Sequence, residues 1–328
     1  MDGKRAGACR QLTNSGVFCI FTVDKATIMS RIETLNNVLD GLMTRYKQRV
    51  PDVGAIIQAM LQDGIIQHPD EIENDHIAFR TMGVSQLGIK SFEKIFLHYG
   101  YEKRDYYNFP GKKLDAYWYA PPADRYPRIF VSELRVSDLS QKAQDIIKSY
   151  TDEVTSDPVD KLDLDNAMEV DRFLHSPLWR IPSLEDYNIL AEESEYASWV
   201  IYNRYYLNHF TISIHNLKEG FNDIALFNNF LEKHGFKLNT SGGKIKVSPD
   251  GGLLQSATVA EMIEATFADG EKQHISGSYV EFAERKVLPA YVHLAKEQIK
   301  RQHRRDGFEA NNADKIFEST YSSQTKGD

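Results

Sequence analysis

The sequence predicts an α+β chain built from two successive βαβββ modules. Three observations carry this: two short alternating segments that each present a histidine, an amphipathic stretch closed by glycine behind each, and three strand-like segments behind each of those. Side chains on a strand alternate faces with period two. In NDHIAFRTMG (74–83), His76, Ala78 and Arg80 therefore share one face and Ile77 and Phe79 the other. In NHFTISIH (208–215), His209, Thr211 and Ser213 face away from Phe210, Ile212 and Ile214.

Residues 1–74 hold an N-terminal segment and two helices. Ile28, Ile32, Leu35, Leu39, Leu42 and Tyr46 recur at helical spacing, and Val53, Ile56, Ile57 and Met60 repeat the pattern after Pro51. The first module, 75–150, opens with the His76 strand. A helix with Phe92, Ile95, Phe96 and Tyr99 on one side follows, closed by Gly100, and then strands at 104–109, 114–120 and 128–136. An acidic connection and an aromatic helical lead-in (Trp179, Tyr187, Trp199, Tyr202, Tyr205) fill 151–207.

The second module, 208–290, repeats the order. The His209 strand is followed by a helix carrying Ile224, Phe227, Phe230 and Leu231, closed by Gly235, then strands at 244–247, 253–259 and 278–285. His76 lies 24 residues before Gly100, and His209 lies 26 before Gly235. That shared spacing and order read as an internal repeat. The tail, 291–328, reads as a basic helix around KRQHRR and then a Gly/Asn-rich loop, GFEANNADKIFEST. The loop either folds over the site as a lid or docks as a surface tail through Phe308, Ile316 and Phe317.

Composition removes several function classes. A net charge of -8 opposes a nucleic-acid-coating role. No run of 18 apolar residues exists to span a membrane. Cys9 and Cys19 supply neither a disulfide framework nor a cysteine zinc site, so the chain suits a reducing compartment, read as the cytoplasm. The leader MDGKRAGACRQLTNSG has three cations and one acid; as the remnant of a transit peptide it would place the protein in a plastid.

Two strand-borne histidines at equivalent positions direct attention to a carboxylate. SYVEFAER supplies one, with Tyr279, Glu281, Ala283 and Arg285 on a common face. Two imidazoles and one carboxylate form the facial triad of non-heme iron(II) enzymes that bind substrate and O₂ together. Spacing alone does not single out this set. Glu133 in VSELRV is read as the first module's counterpart of Glu281, and a set of His76, Glu133, His209 and Glu281 would suit a redox-silent isomerase. Gln255 and Ser256, on a strand, and Tyr279 are candidate substrate contacts.

DHIAFRTMG, RIFVSEL, NHFTISIH, GGLLQSATVAE, GSYVEFAER and RRDGFEANNADKIFEST together resemble the 2-oxoadipate dioxygenase/decarboxylase family, in its shorter plant-type form, over roughly residues 30–321. The resemblance implies a vicinal-oxygen-chelate-like half-barrel made by the two modules. It implies Fe(2+) on His76, His209 and Glu281, with Arg80 as the catalytic, substrate-binding contact to a carboxylate. It also implies 2-oxoadipate and O₂ as substrates, 2-hydroxyglutarate and CO₂ as products, and a place in lysine degradation. A metal-dependent glyoxalase-type isomerase or lyase, favoured by Glu133 as a fourth ligand, and a non-catalytic small-molecule-binding protein are the alternatives.

Overall fold

The computed structural model describes residues 25–326, so the leader and both cysteines lie outside the described residues. Helices α1 (Lys25–Arg49) and α2 (Pro51–Gln62) occupy the predicted positions, with Pro51 at the first turn of α2, where its missing N–H costs nothing. The first module runs β1 (Asn74–Met82), α3 (Gly88–His98), β2 (Glu102–Phe109), β3 (Leu114–Ala120) and β4 (Arg128–Leu134). The connection carries α4 (Gln141–Thr151), α5 (Ala167–His175), α6 (Leu184–Glu193) and α7 (Glu195–Asn203). The second module runs β5 (His209–Ser213), α8 (Ile224–Lys233), β6 (Lys246–Val247), β7 (Leu253–Ala257), a hairpin of β8 (Met262–Thr266) and β9 (Lys272–Ser276), and β10 (Tyr279–Arg285). Helices α9 (Ala310–Phe317) and α10 (Ser322–Thr325) follow in the tail.

Eight strands form one curled half-barrel sheet in the order β2-β3-β4-β1-β5-β10-β7-β6. The two modules meet at its centre, where β1 and β5 pair antiparallel, and each central strand pairs in parallel with the last strand of its own module. Read outward from the centre, the halves match, as the repeat predicted. One face packs on α3 and α8: Phe79 lies 4.7 Å from Phe92, and Phe282 lies 5.2 Å from Phe227. The opposite face carries the histidines.

Two expectations for the tail fail. Residues 296–303 form short 3₁₀ turns, Lys296–Gln298 and Arg301–His303, and not a basic helix. KEQIKRQHRR has a single aliphatic residue, Ile299, and so no apolar stripe to dock. The expected Gly/Asn-rich loop is instead helix α9, which buries Asn312, Ile316 and Phe317. The β8–β9 hairpin was not expected at all.

Candidate metal centre

His76 stands on β1 and His209 on β5, and the central pairing sets Ala78 opposite His209 and Thr211 opposite His76. Glu281 lies on β10 opposite Thr211. Their ligand atoms converge from three adjacent strands. The two Nε2 atoms are 3.3 Å apart, and the Glu281 oxygens lie 3.5 Å from His76 Nε2 and 3.1 Å from His209 Nε2. Three ligands about 2.1 Å from one ion lie roughly 3.0–3.4 Å apart, so the observed edges fit a metal. All three residues are buried, and this is the metal-capable cluster found among the described residues.

A second layer orients each ligand. His76 Nδ1 lies 2.8 Å from Asp75 Oδ1, and His209 Nδ1 lies 3.1 Å from Asn208 Oδ1, so in each ring Nε2 is left to face the centre. Asp75 is gripped by Arg285, whose Nε and Nη2 donate to its two oxygens at 2.6 and 2.9 Å, and Arg128 donates from 3.3 Å. Burial opposes ionisation of Asp75, but the two guanidiniums hold its carboxyl well below the usual range. Gln255 Nε2 donates to Glu281 Oε1 at 2.6 Å, and its own oxygen accepts from Asn312 at 3.1 Å. Burial also opposes the charge of Glu281; His76, His209 and the Gln255 hydrogen bond outweigh it and keep the carboxyl below its ordinary value. Burial pushes His209 down to about 3, which leaves it a neutral imidazole, the form a metal requires.

Arg80 is fully buried two residues along β1 from Ala78. Its Nη1 donates to Thr320 Oγ1 and its Nη2 to the Phe317 carbonyl, both at 3.0 Å. The guanidinium lies 5.0 to 5.6 Å from the ring centres of Trp199, Tyr196 and Phe317. Among the described residues it forms no ion pair. Tyr279 stacks on His209 with ring centres 4.9 Å apart, and its hydroxyl, beside the Arg80 guanidinium, makes no well-aligned hydrogen bond. Phe308, Ala313, Ile316 and Phe317 close the space over the triad, leaving a cavity of about 20 Å³, room for roughly one water.

Two candidates are corrected. Ser256 pairs with Phe282 and bonds Asn228 of α8 at 2.7 Å, so it faces the helix side of the sheet and not the metal side. Glu133 accepts the Ile89 N–H at 2.7 Å and caps the start of α3, away from the triad. Gly88, with φ +79°, makes room for it: a Cβ there would stand 2.1 Å from the Glu133 carboxylate. Glu133 is also not the counterpart of Glu281. In the second module Glu281 pairs with Thr211, two beyond His209; in the first, Phe130 pairs with Ala78, two beyond His76. A phenyl ring therefore stands where a fourth ligand would have to. Sequence reasoning missed Asp75, Asn208, Arg128 and Asn312. The signal for the first two was an Asp or Asn immediately before each histidine.

A curled sheet of paired modules with a two-histidine, one-carboxylate cluster at its centre defines a vicinal-oxygen-chelate-like half-barrel with a cluster able to hold a metal. The fold of a glyoxalase-superfamily protein of Ralstonia eutropha JMP134 matches over 90% of this chain and 92% of that one, with TM-score 0.67 at 20% identity. The 2-oxoadipate dioxygenase/decarboxylase family model matches residues 38–300, and the chain belongs to that family. It is 44% identical over 301 residues to a chloroplastic 2-oxoadipate dioxygenase/decarboxylase of Arabidopsis thaliana, covering 88% of this chain and 78% of the Arabidopsis protein. A hydroxyglutarate synthase of Oryza sativa, solved with 2-oxoadipate, covers 97% of this chain and 100% of its own, with 38% identity and TM-score 0.83.

Proposed function

We propose that this chain is an Fe(II)-dependent enzyme that converts 2-oxoadipate and O₂ to 2-hydroxyglutarate and CO₂, as a step of lysine breakdown. The observation that carries the reading is a three-ligand centre with Phe130 in the fourth position, which leaves coordination sites for a chelating substrate and O₂. His76, His209 and Glu281 would hold ferrous iron, and the ion would supply activation of O₂ and of the 2-oxo acid. Fixing the two imidazoles is the task of Asp75 and Asn208, and Gln255 fixes the carboxylate.

Arg80 supplies the unpaired buried cation for a substrate carboxylate, with a planar two-donor fork suited to bidentate contact. Tyr279 stands beside both Arg80 and His209 and can turn its free hydroxyl toward the bound diacid. Phe308, Ile316 and Phe317 keep bulk water from the centre. The substrate contains its own 2-oxo acid, so both oxygen atoms end in its products and no cosubstrate is needed. No described helix is long and apolar enough to cross a membrane, and the chloroplastic names of the plant relatives support a plastid as the compartment.

The test is an O₂-electrode trace on iron-loaded enzyme. One CO₂ should be released per O₂ consumed with 2-oxoadipate alone, and His76→Ala, His209→Ala and Glu281→Ala should each abolish turnover in a folded protein. Turnover under nitrogen, or a requirement for added 2-oxoglutarate, would overturn the reading.

A further inference from the structure

A second cleft, of about 450 Å³, opens between the C-terminal end of α1 and the segment entering β5. Leu42, Arg45, Tyr46, Arg49, His175 and Tyr206 wall it, and none of them belongs to the metal centre. Its charges do not balance. Arg45 is paired with Asp171, and His175 is bonded to the Asp171 carbonyl at 2.7 Å. Arg49 forms no ion pair among the described residues: its guanidinium lies 4.3 Å from the Tyr206 ring centre and donates to Asn203 Oδ1.

Two further donors behind the cleft wall lack acceptors. Arg49 Nε and the Asn203 amide nitrogen are both buried, and neither has a hydrogen-bond partner. A half-buried guanidinium without an ion pair, stacked on an aromatic ring and lining an open cleft, is the half of an ion pair that a ligand completes. We propose that this cleft binds a small oxyanion, the phosphate or carboxylate group of a metabolite, held by Arg49 with Arg45 beside it. Tyr46, one wall of the cleft, donates its hydroxyl to the Tyr279 carbonyl and receives the Phe210 N–H. The cleft thus shares a wall with the strands that carry His209 and Glu281.

Titration calorimetry on the full chain tests this, with inorganic phosphate and glutarate in separate arms at constant ionic strength. One saturable site per chain is expected for at least one anion, and the arm that binds distinguishes a phosphate from a carboxylate ligand. Affinity should fall at least about tenfold in Arg49→Gln, as for loss of a charge-assisted hydrogen bond, and less in Arg49→Lys. Gln48→Glu, at an exposed position lining the cleft, should also weaken binding by repulsion without threatening the fold. The proposal is overturned if neither anion binds saturably to wild type. It is equally overturned if binding persists in Arg49→Gln and Gln48→Glu but is lost in Arg80→Gln, which would put the anion at the metal centre.

Discussion

A buried charge is costly unless paired, and Arg80 is buried with only two hydrogen bonds to the tail and three aromatic rings around it. The partner we propose for it is a substrate carboxylate, and a bound diacid brings two. Arg80→Ala should retain iron, because the guanidinium is not a ligand. Loss of a buried charge-assisted pair costs on the order of 2–5 kcal/mol, so kcat/KM for 2-oxoadipate should fall roughly 30- to several-thousand-fold. Arg80→Lys should recover part of that, since an ammonium lacks the planar fork. Comparing 2-oxoadipate with a 2-oxo monoacid in both enzymes shows which carboxylate is gripped: a loss confined to the diacid assigns Arg80 to the distal group, and equal losses assign it to the group beside the metal. An unchanged kcat/KM in Arg80→Ala would remove the role. At this scale the sequence was informative where alternation applies, since it set His76 and Arg80 on one face. It was silent between Gln255 and Ser256: neighbours on a strand face opposite ways, and which one meets Glu281 depends on the pairing of β7 with β10.

Between elements, Asp75 of β1 and Arg285 of β10 clasp each other across β5, so the strand that supplies Glu281 also orients His76. Asp75→Asn should weaken iron binding about 10–100-fold, the usual cost of losing a carboxylate that orients a ligating histidine. Metal titration followed by a chelator competition reads this directly, and unchanged affinity would reduce the clasp to a structural contact. A second junction, where α2 meets the segment before β8, sets a pH dependence. Burial, and then the Glu261 carboxylate beside it, push Asp52 up to about 7. Between the ordinary aspartate value near 4 and about 7, the native state holds a proton that the unfolded chain has released. Stability should therefore fall as pH rises through that window, and level off above it. Asp52→Asn should leave thermal stability near pH 4 almost unchanged and raise it near pH 8 by about 1 kcal/mol, the pair being partly screened by water. A slope that survives the substitution would assign it to other groups. Element identity was legible wherever an apolar face recurred. The β8–β9 hairpin was missed although Asp269-Gly270 marks its turn, because Met262, Glu264 and Thr266 are exposed and only Ala265 and Ile275 are fully buried. Helix α9 was missed because Asn312 reads as a loop residue until its amide is seen bonding the Leu253 carbonyl and Gln255.

At the scale of the whole molecule the repeat explains why one chain needs two modules for one site. Each module contributes one histidine on its first strand, and the antiparallel β1–β5 seam brings the pair face to face. At the fourth ligand position the repeat is broken, with Phe130 where the second module has Glu281, and that asymmetry sets the ligand count of the cluster at three. The sequence revealed the repeat but not the equivalence, since seeing that Phe130 and not Glu133 answers to Glu281 requires a register that only the parallel pairings define. The tail completes the enclosure. Phe308, Ile316 and Phe317 leave about 20 Å³ over the triad, whereas one water already claims about 10–15 Å³. A six-carbon diacid is larger than that space, so we expect the 307–321 segment to move for substrate to enter and to repack so that water is excluded again. Arg80 would act as the latch of such a movement, because the Thr320 and Phe317 groups that hold it are in that segment. Amide exchange followed by mass spectrometry should show 307–321 exchanging faster than β1, β5 and β10 in the metal-loaded enzyme, and slowing when 2-oxoadipate is added under nitrogen. In Arg80→Ala the segment loses its latch, so its exchange should rise without substrate and respond less when substrate is added. Exchange in 307–321 as slow as in the central strands, and indifferent to substrate, would mean that the diacid enters by another route.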